Sequence, residues 1–187
     1  MVGKFLGAAA VTGLLLNASV GAVPAAAQSA VIETDSTFIQ MASSLALLQV
    51  KLGKLAQKKG SAAAVRDFGE RMVTDYSKAK DELASGAKQA AFPGPVLLRQ
   101  HQQTFERFAS MGGSSFDKNY MAEAVSDHKE AVRLFQQESQ DGRIASLKQL
   151  ATSMLPTVKE RLDLATQTAG TVGADVTATA SQERRGS

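Results

Sequence analysis

The amino-acid sequence predicts an all-α fold, a four-helix bundle whose second and third long helices are joined by a crossover carrying a short helix. Three observations point there. Apolar residues recur at intervals of three and four along four segments of about 25 residues each. Runs of β-branched residues are few, and Gly or Pro punctuates the segment boundaries.

The first segment starts near Thr34, with Asp35 or Ser36 as candidate N-cap, and ends at Gly60. Its stripe is Phe38, Met41, Leu45, Leu48, Leu52 and Leu55. The second, from Ser61 to Ala90, carries Val65, Phe68, Met72, Tyr76, Ala79 and Leu83, and Pro93, Gly94 and Pro95 stop it. The third opens at the cap candidates Ser114 and Ser115 and closes near Gly142, with Phe116, Tyr120, Ala124, His128, Ala131 and Phe135 on its stripe. The fourth reads Leu147, Ala151, Met154, Val158, Arg161 and Ala165, and Pro156 inside it predicts a kink.

Turns of a few residues join the first segment to the second and the third to the fourth, so each pair should form an antiparallel hairpin. About 20 residues separate the hairpins, with a short amphipathic helix around residues 97–111. A helix of 25 residues is about 38 Å long, and this connection can run most of that length. The order is that of ferritin-like folds rather than a simple up-down-up-down bundle. Residues 72–79 and 124–131 also resemble each other, each with a Val, an Asp followed by a ring, and an Ala in register.

Residues 1–27 have the pattern of a signal peptide: Lys4, an apolar run from Phe5 to Leu16, and Ala25 and Ala27 in the small-residue positions before Gln28. The expected division is therefore signal peptide 1–27, linker 28–33, bundle domain 34–168 and a disordered Gly, Thr, Ala and Ser-rich tail 169–187. The apolar run is shorter than the roughly 20 residues a membrane span requires, so no stable anchor is expected after cleavage. Periplasmic location follows as the expectation, with secretion as the alternative. The chain has no Cys, so disulfides cannot hold the fold. It carries 21 Lys and Arg against 18 Asp and Glu, interspersed rather than gathered on one face, which argues against nucleic acid as a partner.

Four polar side chains fall on or beside the apolar stripes. Gln49 borders the first, Tyr76 and His128 lie on the second and third, and Arg161 lies on the fourth. One polar group per helix at similar depth outlines a candidate site, with Asp75 and Asp127 as its possible carboxylates. Each also has a plain reading: a core His, a Tyr with its hydroxyl at the edge, a Gln turned to solvent, a snorkelling Arg. Di-iron bundles use Glu-x-x-His motifs, and none occurs here. A permanent cation at Arg161 also repels a divalent ion. There is no Cys nucleophile, G-x-S-x-G or phosphate-binding glycine loop, so nothing requires an enzyme or a cofactor. The rival reading is a metal-binding or redox protein using His128, Tyr76 and carboxylates among Asp75, Asp127, Glu70 and Glu123. In the crossover, Phe92, Leu97, Leu98, Phe105 and Phe108 form an apolar strip that covers the bundle or, alternatively, docks an envelope protein.

The segments Val50 to Ala56, Phe68 to Ala79, Phe116 to Met121, Asp127 to Ala131 and Leu155 to Val158 resemble an exported bacterial family, domain of unknown function 4142. The resemblance implies a ferritin-like four-helix domain and a Gram-negative envelope address. It also implies that relatives carry Glu at the position of Gln49 and His at those of Tyr76, His128 and Arg161. Such a set resembles a metal site, of which this chain keeps His128. The expectation is a non-enzymatic binding or envelope stress-protection protein with a degenerate metal site.

Overall fold

A computed structural model describes residues 25–177; the predicted leader up to residue 24 and residues 178–187 lie outside them. Five helices follow in order: α1 Ala25–Lys59, α2 Ala63–Gln89, α3 Arg99–Ser110, α4 Gly113–Asp141 and α5 Ala145–Val172. The four long ones are the four segments read from the sequence, and α3 is the crossover helix. Among the described residues there is no strand, and no helix is long and apolar enough to cross a membrane.

The predicted stripes of α2, α4 and α5 are buried throughout. On α1, Phe38, Leu45, Leu48 and Leu52 are buried, whereas Met41 and Leu55 sit half-buried at the margin. Each helix therefore hides one face, and the four faces enclose one core. Where α1 meets α2 the backbones come close. A Cβ on Gly53 would stand 2.6 Å from the carbonyl oxygen of Gly69, and one on Gly69 would stand 2.7 Å from that of Gly53.

Contacts at the ends fix the topology. Gly86, late in α2, lies against Leu147 and Leu150, early in α5, so these helices are antiparallel. α3 runs alongside α1 in the same direction. Ser44 accepts from the Leu98 backbone and bonds His101, and fifteen residues on Lys59 donates to the carbonyls of Ala109 and Met111. The crossover thus carries the chain from one end of the bundle to the other, which is the ferritin-like order. Of its apolar strip, Phe108 is fully buried and Phe92, Leu97 and Phe105 pack against the core.

Helix starts depart from the sequence reading. α1 begins at Ala25, so residues 28–33 are helical rather than a linker, and Asp35 lies inside the helix instead of capping it. α4 begins at Gly113 with Gly112 as N-cap and no side-chain cap bond, so Ser115 sits within the first turn. The carboxylates cap across the bundle instead. Asp35 accepts from the backbone N–H groups of Arg143 and Ile144 at the start of α5. Asp117 accepts from those of Ser61 and Ala62 at the start of α2. Anions are favoured at both places because a helix N-terminus presents unpaired N–H groups and a positive dipole end.

The far boundary also moves. α5 continues past Thr168 to Val172 and ends on Gly173 in the left-handed conformation, which glycine adopts without strain. Val172, Ala174 and Val176 pack against the core, so the segment up to residue 177 belongs to the bundle rather than to a tail. α5 continues through Pro156, which is exposed.

Candidate functional site

The four polar residues singled out by periodicity all lie inside the bundle; Tyr76, His128 and Arg161 converge, and Gln49 bonds Asp127, the neighbour of His128 in sequence. Gln49 and His128 are fully buried, Tyr76 is 5% exposed and Arg161 is 8% exposed. The ring of Tyr76 meets that of His128 edge-on, centroids 5.7 Å apart, and the guanidinium carbon of Arg161 lies 4.7 Å from the centre of the Tyr76 ring. The matching Asp-ring segments of α2 and α4 therefore face each other across the core. They are not equivalent positions of two repeated hairpins.

Each group has a defined chemical state. His128 Nδ1 lies 2.6 Å from the Ala124 carbonyl. A carbonyl only accepts, so Nδ1 carries the proton and Nε2 presents a lone pair to the core, where it has no partner. Burial, reinforced by the charge of Arg161, lowers this imidazole to about 4, leaving it neutral at neutral pH. Burial also raises the Tyr76 phenol above its ordinary value, only partly offset by Arg161, so the hydroxyl keeps its proton.

The two carboxylates separate. Asp127 accepts from Gln49 Nε2 at 2.7 Å and lines a cleft between α1, α3 and α4; burial, then the charge of Glu123, pushes its carboxyl up. Asp75 lies on the opposite side, 3.7 Å from Arg161 Nε and bonded at 2.9 Å to the exposed Arg71. Of the two candidate carboxylates, Asp75 is the one paired with Arg161. Glu70 and Glu123 stay outside the cluster, Glu123 pairing with Arg107 and Glu70 exposed beside the α2/α5 groove.

Two features escaped the sequence reading. The hydroxyl of Tyr120 is buried without a partner, and its ring packs edge-on to Phe68, which in turn meets His128. At the far end Glu138 is fully buried beside Asp35, and burial together with that neighbour raises its carboxyl to about 8. A Glu on the α4 stripe one turn beyond Leu134 was the available signal, since period alone turns it inward.

The family described as Domain of unknown function (DUF4142) matches residues 20–168. The chain belongs to this family. No curated protein and no solved structure matches it. The metal set that the DUF4142 resemblance implies does not fit the side chains here. The interior offers one neutral imidazole nitrogen, one amide oxygen, one protonated phenol and a fixed cation, and the nearest carboxylates are engaged by Arg71 and Gln49. Among the described residues of this DUF4142 chain no group of three His, Asp or Glu is placed to hold a metal ion.

Proposed function

We propose that the protein is exported to the periplasm and has a non-enzymatic binding role there, in the protection of the envelope under stress. Its interior site is a converted metal site in which Arg161 supplies the positive charge. The observation that carries this reading is the guanidinium itself, nine-tenths buried against Tyr76 beside a neutral His128. A fixed cation in that place disfavours a divalent ion by charge and leaves the polar side chains to recognise something else. The leader pattern of residues 1–27 supports export.

Elemental analysis of untagged protein purified from the periplasm tests the reading. Sub-stoichiometric iron, zinc, copper and manganese is expected; one equivalent of any of them would overturn it. A second reading, metal binding or redox chemistry at His128, is favoured by one observation, the buried and unpartnered Nε2 lone pair. The same analysis separates the two.

A further inference from the structure

The Arg161 guanidinium forms the floor of a groove between α2 and α5. The groove consists of two adjoining cavities of about 790 and 280 Å³, with Arg71, Asp75 and Leu164 lining both. Arg161 lines the smaller one. Its side chain is only 9% exposed, its Nε is buried without a hydrogen-bond partner, and its only ion pair among the described residues is the long one of 3.7 Å to Asp75. Asp75 is already bonded at 2.9 Å by Arg71. A guanidinium offers five N–H donors in a fixed fork, and here its Nε is a buried donor that nothing meets, which is costly. The group that matches this fork is a carboxylate, held by two parallel bonds.

The charge of the walls narrows the ligand further. Asp67 and Glu70 line the larger cavity beside the apolar surface of Phe68 and Leu164, and Glu160 and Asp163 line the smaller. Acidic residues outnumber basic ones in each cavity, so a simple anion meets a repulsive wall and a simple cation leaves Arg161 unmet. A molecule carrying both charges and an apolar side group satisfies all three surfaces. We infer that the α2/α5 groove binds a small zwitterion, an α-amino acid or dipeptide, with its carboxylate on Arg161, its ammonium towards Glu160 and Asp163 in the same cavity, and its side chain over Leu164. The inference rests on the reading of Arg161 as the site's own cation, and it names the ligand class for that site.

The test is calorimetric titration of the full mature chain with L-leucine and with alanyl-leucine, using acetate and butylamine as single-charge probes. Binding of leucine or the dipeptide is expected, with acetate and butylamine weaker by about tenfold or more. Arg161→Gln should abolish that preference. Because Arg161→Gln is a core change, the exposed pair Glu160→Gln and Asp163→Asn serves as the independent arm; it should weaken the zwitterions several-fold and leave acetate unchanged or stronger. No binding of either zwitterion, or equal binding of acetate, would overturn the inference. Metal content measured on the same sample keeps the outcomes apart. Stoichiometric metal defeats the proposed function, whereas a metal-free protein that ignores both zwitterions defeats only the ligand.

Discussion

Asp35 and Asp117 do the same work at opposite ends of the bundle, each accepting from two consecutive backbone N–H groups at the start of a helix in the other hairpin. The shift along the chain that takes Asp35 to Asp117 also takes Gly60 to Gly142 and Met72 to Met154. Moved by the same step, the buried residues of α2 fall on those of α5 almost without exception. The two hairpins are thus built to one plan and cap each other. Bonds to a charged acceptor are worth about 1.5 to 3 kcal/mol. Asp35→Ala and Asp117→Ala should therefore each lower stability by about 2 to 3 kcal/mol in urea denaturation. Losses under about 0.5 kcal/mol would mean that water serves those N–H groups equally well.

Glu138 and His128 are two sources of the pH dependence of stability, and Asp127, raised by burial, acts in the same direction as Glu138. Glu138, ordinarily titrating near 4.5, is raised to about 8 in the fold, so the folded chain holds a proton that the unfolded chain releases. Its contribution is complete below 4.5 and is lost as pH rises towards 8. His128 acts in the other direction: lowered from 6.5 to about 4, it contributes stability above 6.5 that is lost as pH falls towards 4. Melting temperature should decline between pH 6.5 and 8, and Glu138→Gln should flatten that decline. A variant with an unchanged slope would assign it elsewhere.

The meeting of Gly53 with Gly69 is steric. Since a Cβ on either would press on a backbone carbonyl, Gly69→Ala must push α1 and α2 apart, at a cost of about 1 to 3 kcal/mol despite the better helix propensity of Ala. Thermal denaturation measures it, and a stabilised variant would contradict the close approach.

Arg161→Ala removes a guanidinium from the face of Tyr76 and from Asp75, but Asp75 retains Arg71 and is not stranded. A loss of about 1 to 2 kcal/mol is expected, that of a desolvated cation–π contact, rather than the 3 to 5 kcal/mol of a broken buried pair (about fivefold to thirtyfold against more than a hundredfold to several thousandfold in the folding constant). Urea denaturation of the variant distinguishes the two values.

The inward stripes were legible because a period of 3.6 places Tyr76, His128 and Arg161 on the same faces as Phe68, Phe135 and Val158. Depth along each helix then brought Tyr76, His128 and Arg161 together, with Gln49 on the neighbouring Asp127. Capping was not legible in the same way. Asp35 stands where a local N-cap belongs, yet its partners are Arg143 and Ile144, more than a hundred residues on, and no local pattern encodes that distance. Partner choice for Arg161 was undetermined for the same reason, since Asp75 and Asp127 occupy matching places in similar segments and only the packing of α2 on α5 selects Asp75. The end of α5 was set too early because Gly170 and Thr171 have weak helix propensity, which the packing of Val172 and Val176 overrides.

The most direct test of Arg161 as the site's own cation restores the implied family set with Gln49→Glu, Tyr76→His and Arg161→His, then titrates zinc and manganese into the triple variant and the parent by calorimetry. Removing the guanidinium and adding one carboxylate and two imidazoles beside His128 creates the donor set that a divalent ion requires. The expected result is about one equivalent bound by the triple variant and none by the parent under the same conditions. Equally tight binding by the unmodified parent would contradict the account.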